Sequence, residues 1–147
     1  MSLKQEIHID ASIPILWKTW TCSDRTTSWL APAADIEPVV GGKFELFFDS
    51  EDKNGMNTAG CKIVGLKEYR QIIFEWKGPD LFAEIMYHPQ HLTYVDIWLQ
   101  PTSDTTTLVC LKHSGWGAST DWQSARAWHE EAWKQWLGNL KTSVESA

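Results

Sequence analysis

The chain has 147 residues, a formal net charge of -6, a sequence pI of about 5.3, 43% hydrophobic and 22% charged residues. That length fits one domain spanning residues 1–147, large enough to bury roughly 68–70% of its unfolded surface without disulfides or metals. The acidic balance and the lack of any Lys/Arg cluster argue against phosphate-backbone recognition and against an anionic lipid surface, so neither a nucleic-acid nor a membrane partner is expected.

Leu3 to Ala11 alternates apolar and polar residues, which predicts a half-buried strand with Leu3, Ile7, Ile9 and Ala11 inward. Ser12 and Pro14 then suit the start of a helix carrying Ile13, Leu16, Trp17 and Trp20 at helical spacing. Asp24 can open a second short helix running through Trp29 and Leu30, ended by Pro32. Asp35 to Val39 is a short strand, Gly41-Gly42 a hairpin turn, and Lys43 to Asp49 a strand with Phe44, Leu46 and Phe48 on one face. Glu51 to Thr58, with Asn54-Gly55, reads as a loop.

Gly60 to Glu68 and Gln71 to Lys77 are predicted strands joined by a turn at Tyr69-Arg70. Gly78 to Gln90 holds two prolines and no clean period; it reads mainly as loop, with a short strand around Phe82 to Met86. His91 to Pro101 and Thr105 to Ser114 are strands around a turn at Thr102-Ser103-Asp104. Thr120 and Gln123 fit a capping box for the last element. From there Trp122, Ala125, His129, Ala132, Trp133, Trp136, Leu137, Leu140 and Val144 form one apolar helical stripe. A twisted antiparallel sheet must cover its apolar face, and only this helix is long enough. The expected fold is therefore α+β: a curved antiparallel sheet around a long C-terminal helix, with two short helices after the first strand.

The residues IHIDASIPILWKTW (Ile7–Trp20), Trp29, GGKFELFF (Gly41–Phe48), IIFEW (Ile72–Trp76), LTYVDIWL (Leu92–Leu99) and LVCLKHSGW (Leu108–Trp116) carry a resemblance. The chain resembles the START-like, or SRPBCC, helix-grip superfamily, and within it the bacterial branch related to the activator of the heat-shock protein 90 ATPase. The resemblance covers nearly the whole chain and implies the helix-grip fold with a cavity between sheet and helix. Members include ligand carriers, cyclases, hydrolases and chaperone activators with a place in the stress response, so fold alone does not choose among them. The segment from Pro79 to Pro89 is longer and more aromatic than a plain hairpin.

The three cysteines, Cys22, Cys61 and Cys110, match no metal or redox spacing and read as reduced thiols in a cytoplasmic protein. There is no signal-peptide pattern, and no apolar run approaches the roughly 18 residues of a membrane helix. His88 and His91 are spaced like a metal pair, but Pro89 argues against the helix this would need, and no carboxylate or Cys completes it. Neither metal nor cofactor is assigned. No nucleophile or acid–base constellation appears, so no catalytic residue is named and enzyme status stays open. Glu130-Glu131 reads as a solvated helix flank.

His113 shares strand parity with Thr107, Val109 and Leu111, and His129 lies in the apolar stripe. Two readings stand: satisfied core histidines, or polar handles in a cavity. In the second, Trp29, Phe44, Phe48, Trp76, Ile97, Trp116 and Trp133 form the walls of a site for a small apolar or aromatic ligand. The opposite parity puts Tyr94, Asp96 and Trp98, with Phe47 and Ile73, on the convex outer face. There they form an interface for a homodimer or a chaperone partner, unless the segment around Phe82 to Tyr87 covers them.

Overall fold

The computed structural model describes residues 2–49 and 56–145. Most of the loop expected at Glu51 to Thr58, including Asn54-Gly55, lies outside the described residues. Strand β1 (Leu3–Ile9) leads into α1 (Ile13–Thr21), with Ser12 at the N-cap and Pro14 in the first turn. Leu16, Trp17 and Trp20 are buried, as their spacing requires. Helix α2 (Ser23–Thr26) is one turn only and ends before Trp29. The reason is local. The Thr26 hydroxyl donates to the carbonyls of Thr19 and Cys22, and the Trp29 indole N–H reaches back 3.0 Å to the Thr19 carbonyl. That bond turns Trp29 into the core instead of carrying it along a helix.

Strand β2 (Ala33–Ile36) pairs with β3 (Phe44–Phe47). Strand β2 stops short of the expected Val39 because Pro38 has no N–H for the ladder. Gly41, with φ of 85°, makes the turn between them. Among the described residues five strands form the larger sheet in the order β1-β7-β6-β5-β4, all neighbours antiparallel. Its remaining members are β4 (Ile63–Lys67), β5 (Gln71–Trp76), β6 (Thr93–Pro101) and β7 (Thr107–Ser114). Hydrogen bonds from Gly41 N to the Ile63 carbonyl and from Ile63 N to the Gly42 carbonyl join the β2–β3 ribbon to β4.

The segment between β5 and β6 contains no strand. Asp80–Phe82 is a turn of 3-10 helix, followed by α3 (Ala83–Met86). A strand there would need an open sheet edge, and β5 is already paired on both sides by β4 and β6. Helix α4 (Thr120–Glu145) matches the predicted long helix. Its cap is Ser119 rather than Thr120: the Ser119 hydroxyl accepts the Trp122 N–H at 3.3 Å, and its carbonyl accepts the Gln123 N–H. The buried stripe Ala125, His129, Trp133, Leu137 and Leu140 lies on the inner face of the sheet, where Val95, Ile97, Leu99, Val109 and Leu111 are also buried. No helix among the described residues is long and apolar enough to cross a membrane.

Candidate functional site between sheet and helix

Parity along the strands and the helical stripe bring the predicted residues to one place. Trp76 ends β5 on the side of Ile72 and Phe74, His113 sits late on β7, and His129 and Trp133 are one turn apart on α4. Phe44, Trp76, Ile97, His113, His129 and Trp133 are fully buried; Trp29 and Trp116 nearly so; Phe48 is half-buried. The His113 and His129 rings stand edge to face with centroids 5.3 Å apart. Trp76 lies 6.1 Å from His113, 6.2 Å from His129 and 5.2 Å from Trp133. Trp116 closes on His113 at 4.4 Å and on His129 at 5.2 Å. Trp29 belongs to a second layer, packed at 4.6 Å on Trp20, which in turn lies 6.5 Å from Trp133. Phe44 stacks on Phe74 at 3.7 Å.

The hydrogen bonds fix both imidazoles. An indole N–H can only donate. Trp133 Nε1 therefore donates to His113 Nδ1 at 3.0 Å, leaving His113 Nε2–H to donate to the Thr93 hydroxyl at 2.8 Å. Trp76 Nε1 donates to His129 Nε2 at 3.0 Å, and His129 Nδ1–H donates to the Ala125 carbonyl at 2.7 Å. Trp116 Nε1 donates to the His113 carbonyl at 2.8 Å. Each ring is thus a neutral imidazole in one tautomer with both nitrogens used. Burial, helped by the neighbouring His129, holds His113 well below its ordinary pKa. Burial also pushes His129 down to about 4, against the opposing effect of the Ala125 carbonyl.

Sequence reasoning misses four members of this cluster. The pattern of β6 assigns Thr93 to the inner face but not to the histidine. Trp128 lies beside the stripe rather than in it, and its ring is 4.8 Å from His129. Phe82 and Met86 come from the segment whose pattern has no period; Met86 is fully buried and Phe82 lies 6.4 Å from His129. Aromatic side chains surround the two histidines. Five surface clefts of about 300 to 530 Å³ lie on the protein, and of the nine predicted residues only Trp29 borders one of them.

Outside, Tyr94 is 40% and Trp98 38% exposed on β6, with Val64 at 45% on β4, beyond β5. Phe47, Ile73 and Asp96 are half-buried. A cleft of about 390 Å³ runs over this face, bordered by Lys4, Glu6, Gln71, Asp96, Trp98 and Lys112. The segment containing α3 does not cover the face. Phe82 packs on Trp128 of α4 instead, while Glu84, Ile85, His88 and His91 flank Tyr94 in a separate cleft of about 520 Å³. His88 and His91 are exposed with ring centroids 4.7 Å apart, and His88 Nδ1 accepts the Gln90 N–H. Among the described residues no group of three or more His, Cys, Asp or Glu is placed to hold a metal ion.

Residues 10–145 match the sequence model of the family described as "Activator of Hsp90 ATPase homolog 1-like protein". None of the curated protein sequences compared matches the chain. The fold is similar to a protein of Mesorhizobium loti (18% identity, TM-score 0.75, covering 100% of this chain and 98% of that one). It is also similar to the Aha1 dimer of Colwellia psychrerythraea (21%, 0.74, 96% and 93%) and to an HSP90 activator of Plasmodium falciparum (16%, 0.73, 99% and 96%).

Proposed function

Since the chain belongs to the family of Activator of Hsp90 ATPase homolog 1-like proteins, we propose that it is a co-chaperone-like protein-interaction domain that meets its partner through the outer face of the sheet. The contrast between the two faces of the sheet carries this reading. Inside, aromatic side chains surround both histidines, and every imidazole nitrogen bonds to the protein itself. Outside, Tyr94 and Trp98 stand exposed, Trp98 in a cleft rimmed by Lys4, Glu6, Asp96 and Lys112. Exposed aromatics within a charged rim are the composition of an interaction patch. Membership of the family supports a heat-shock protein 90 chaperone as the partner, acting in the cytoplasm, where three unpaired thiols would stay reduced. The dimeric Aha1 of Colwellia supports a homodimer as the alternative use of the face. The test is the ATPase rate of a bacterial heat-shock protein 90 with and without the chain. Stimulation by the wild type, with a half-maximal chain concentration that rises at least about tenfold in Trp98→Ala, some 1.4 kcal/mol of binding, supports the reading. No stimulation, together with no binding by either protein, removes it.

A second reading, a small apolar or aromatic molecule bound between sheet and α4, has one observation in its favour. Half-buried Phe48 and Trp136 stack at 5.5 Å and touch Trp76 at 6.0 and 5.8 Å, making an aromatic path inward. There Trp29, Phe44, Phe48, Trp76, Ile97, Trp116 and Trp133 would be walls, and a ligand would have to replace an indole at His113 or His129. Tryptophan quenching by aromatic ligands checks it: equal affinity in wild type, His113→Ala and His129→Ala rules this site out.

A further inference from the structure

The segment 79–91 has an unusual set of ties. Among the described residues its hydrogen bonds close within it: Phe82 N to the Pro79 carbonyl (3.0 Å), Tyr87 N to the Ala83 carbonyl (3.0 Å), the Tyr87 hydroxyl to Asp80 (2.6 Å), and the His91 and Gln90 N–H groups to His88. What fastens it to the body is side-chain packing, almost all of it apolar, with the Lys77 ammonium 5.8 Å over the Tyr87 ring. Met86 is fully buried, and Phe82, Ile85 and Tyr87 pack half-buried against the core. The Phe82 ring lies 6.2 Å from Trp128 and 6.4 Å from His129. At its start Gly78 has φ of 81°, and a Cβ there would come within 2.7 Å of Met86 Sδ and 3.2 Å of His129 Cε1. So Met86 sits against a glycine floor beside the histidine, at a joint whose backbone conformation side-chain-bearing residues avoid.

We propose that this segment is a plug that swings out as one unit, turning at Gly78 and at Leu92 where it rejoins β6, withdrawing Met86 and Phe82 and exposing the His129 edge of the aromatic core. A unit tied to the body by side-chain packing, with no hydrogen bond to it among the described residues, can open as a local unit while the rest of the molecule stays folded. The sheet does not change, because β5 and β6 remain paired with each other and with β4 and β7. The plug concerns the interior alone and stands whether or not the outer face binds a partner.

The test uses two buried sulfurs in the wild-type chain. Met86 sulfoxide formation by hydrogen peroxide reports the plug, read by peptide mass so that Met56 is distinguished. Alkylation of Cys61, which is fully buried in the body of the protein, reports wider unfolding. We expect Met86 to oxidise at a rate that low urea leaves unchanged while Cys61 alkylation climbs. Phe82→Ala, which loses one half-buried ring, should speed Met86 oxidation by about tenfold and leave its urea dependence as flat as in the wild type. Met86 oxidation that climbs with urea in parallel with Cys61 alkylation, in the wild type or in Phe82→Ala, would overturn the proposal.

Discussion

At the scale of single residues, the best-determined feature is the pairing of each buried histidine with one indole. Trp133 is fully buried and donates to His113, so Trp133→Ala should cost roughly 3–5 kcal/mol in urea unfolding, from lost burial and a residual cavity. Trp133→Phe keeps most of the ring but leaves His113 Nδ1 without its donor, and should still cost about 1–3 kcal/mol. A loss below about 1 kcal/mol for the alanine variant would contradict the placement of Trp133. The histidines also set an acid limit. Both have folded-state pKa values below that of the unfolded chain, His129 at about 4. Above pH 6.5 neither state binds these protons and the pair is neutral to stability. As pH falls below 6.5 the unfolded chain takes up protons that the folded chain refuses, so stability falls, by about 1.4 kcal/mol per unit for each ring. For His129 that amounts to roughly 3 kcal/mol by the time pH reaches about 4. Urea midpoints of wild type should therefore drop more steeply between pH 6.5 and 4.5 than those of His129→Gln; equal slopes would show the ring is not buried neutral. Strand parity places His113 inward and the helical stripe His129. Neither shows that their partners are indoles, because a Trp–His bond joins β5 or β7 to α4 across positions 20 to 53 residues apart.

At the scale of elements, legibility follows periodicity. The strand Thr93–Pro101 alternates cleanly, and Thr93, Val95, Ile97 and Leu99 are all buried. Helix α4 keeps its three- and four-residue stripe over its whole length. Differences cluster where one side-chain hydrogen bond decides an end. Trp29 leaves α2 to reach Thr19, and the cap of α4 moves one residue to Ser119. The segment after β5 reads as partly strand because nothing in Phe82 to Met86 reveals that both edges of β5 are taken. Since Ser119 rather than Thr120 caps α4, Ser119→Ala should cost about 1 kcal/mol in urea unfolding and Thr120→Ala only a few tenths. The reverse order would restore the capping box that the sequence suggests.

At the scale of the whole molecule, Cys22, Cys61 and Cys110 are unpaired, and burial raises Cys61 to about 12 and Cys110 to about 11, the latter aided by Glu6. Thiol titration of the denatured chain without reductant should find three free groups; one would mean a disulfide. The molecule divides its ten tryptophans unevenly. Trp76, Trp116, Trp128 and Trp133 gather around the two histidines, while Trp98 stands outside among charges. The side-chain pattern of β6 announces that division, but not how Met86, Phe82 and Trp128 converge beside His129. The indole N–H resonances of the chain, recorded by ¹⁵N NMR during titration with the proposed chaperone, test the account most directly. The Trp98 signal should shift or broaden on binding while those of Trp76 and Trp133, bonded to His129 and His113, stay in place. Movement of the Trp76 and Trp133 signals with Trp98 unchanged would contradict it.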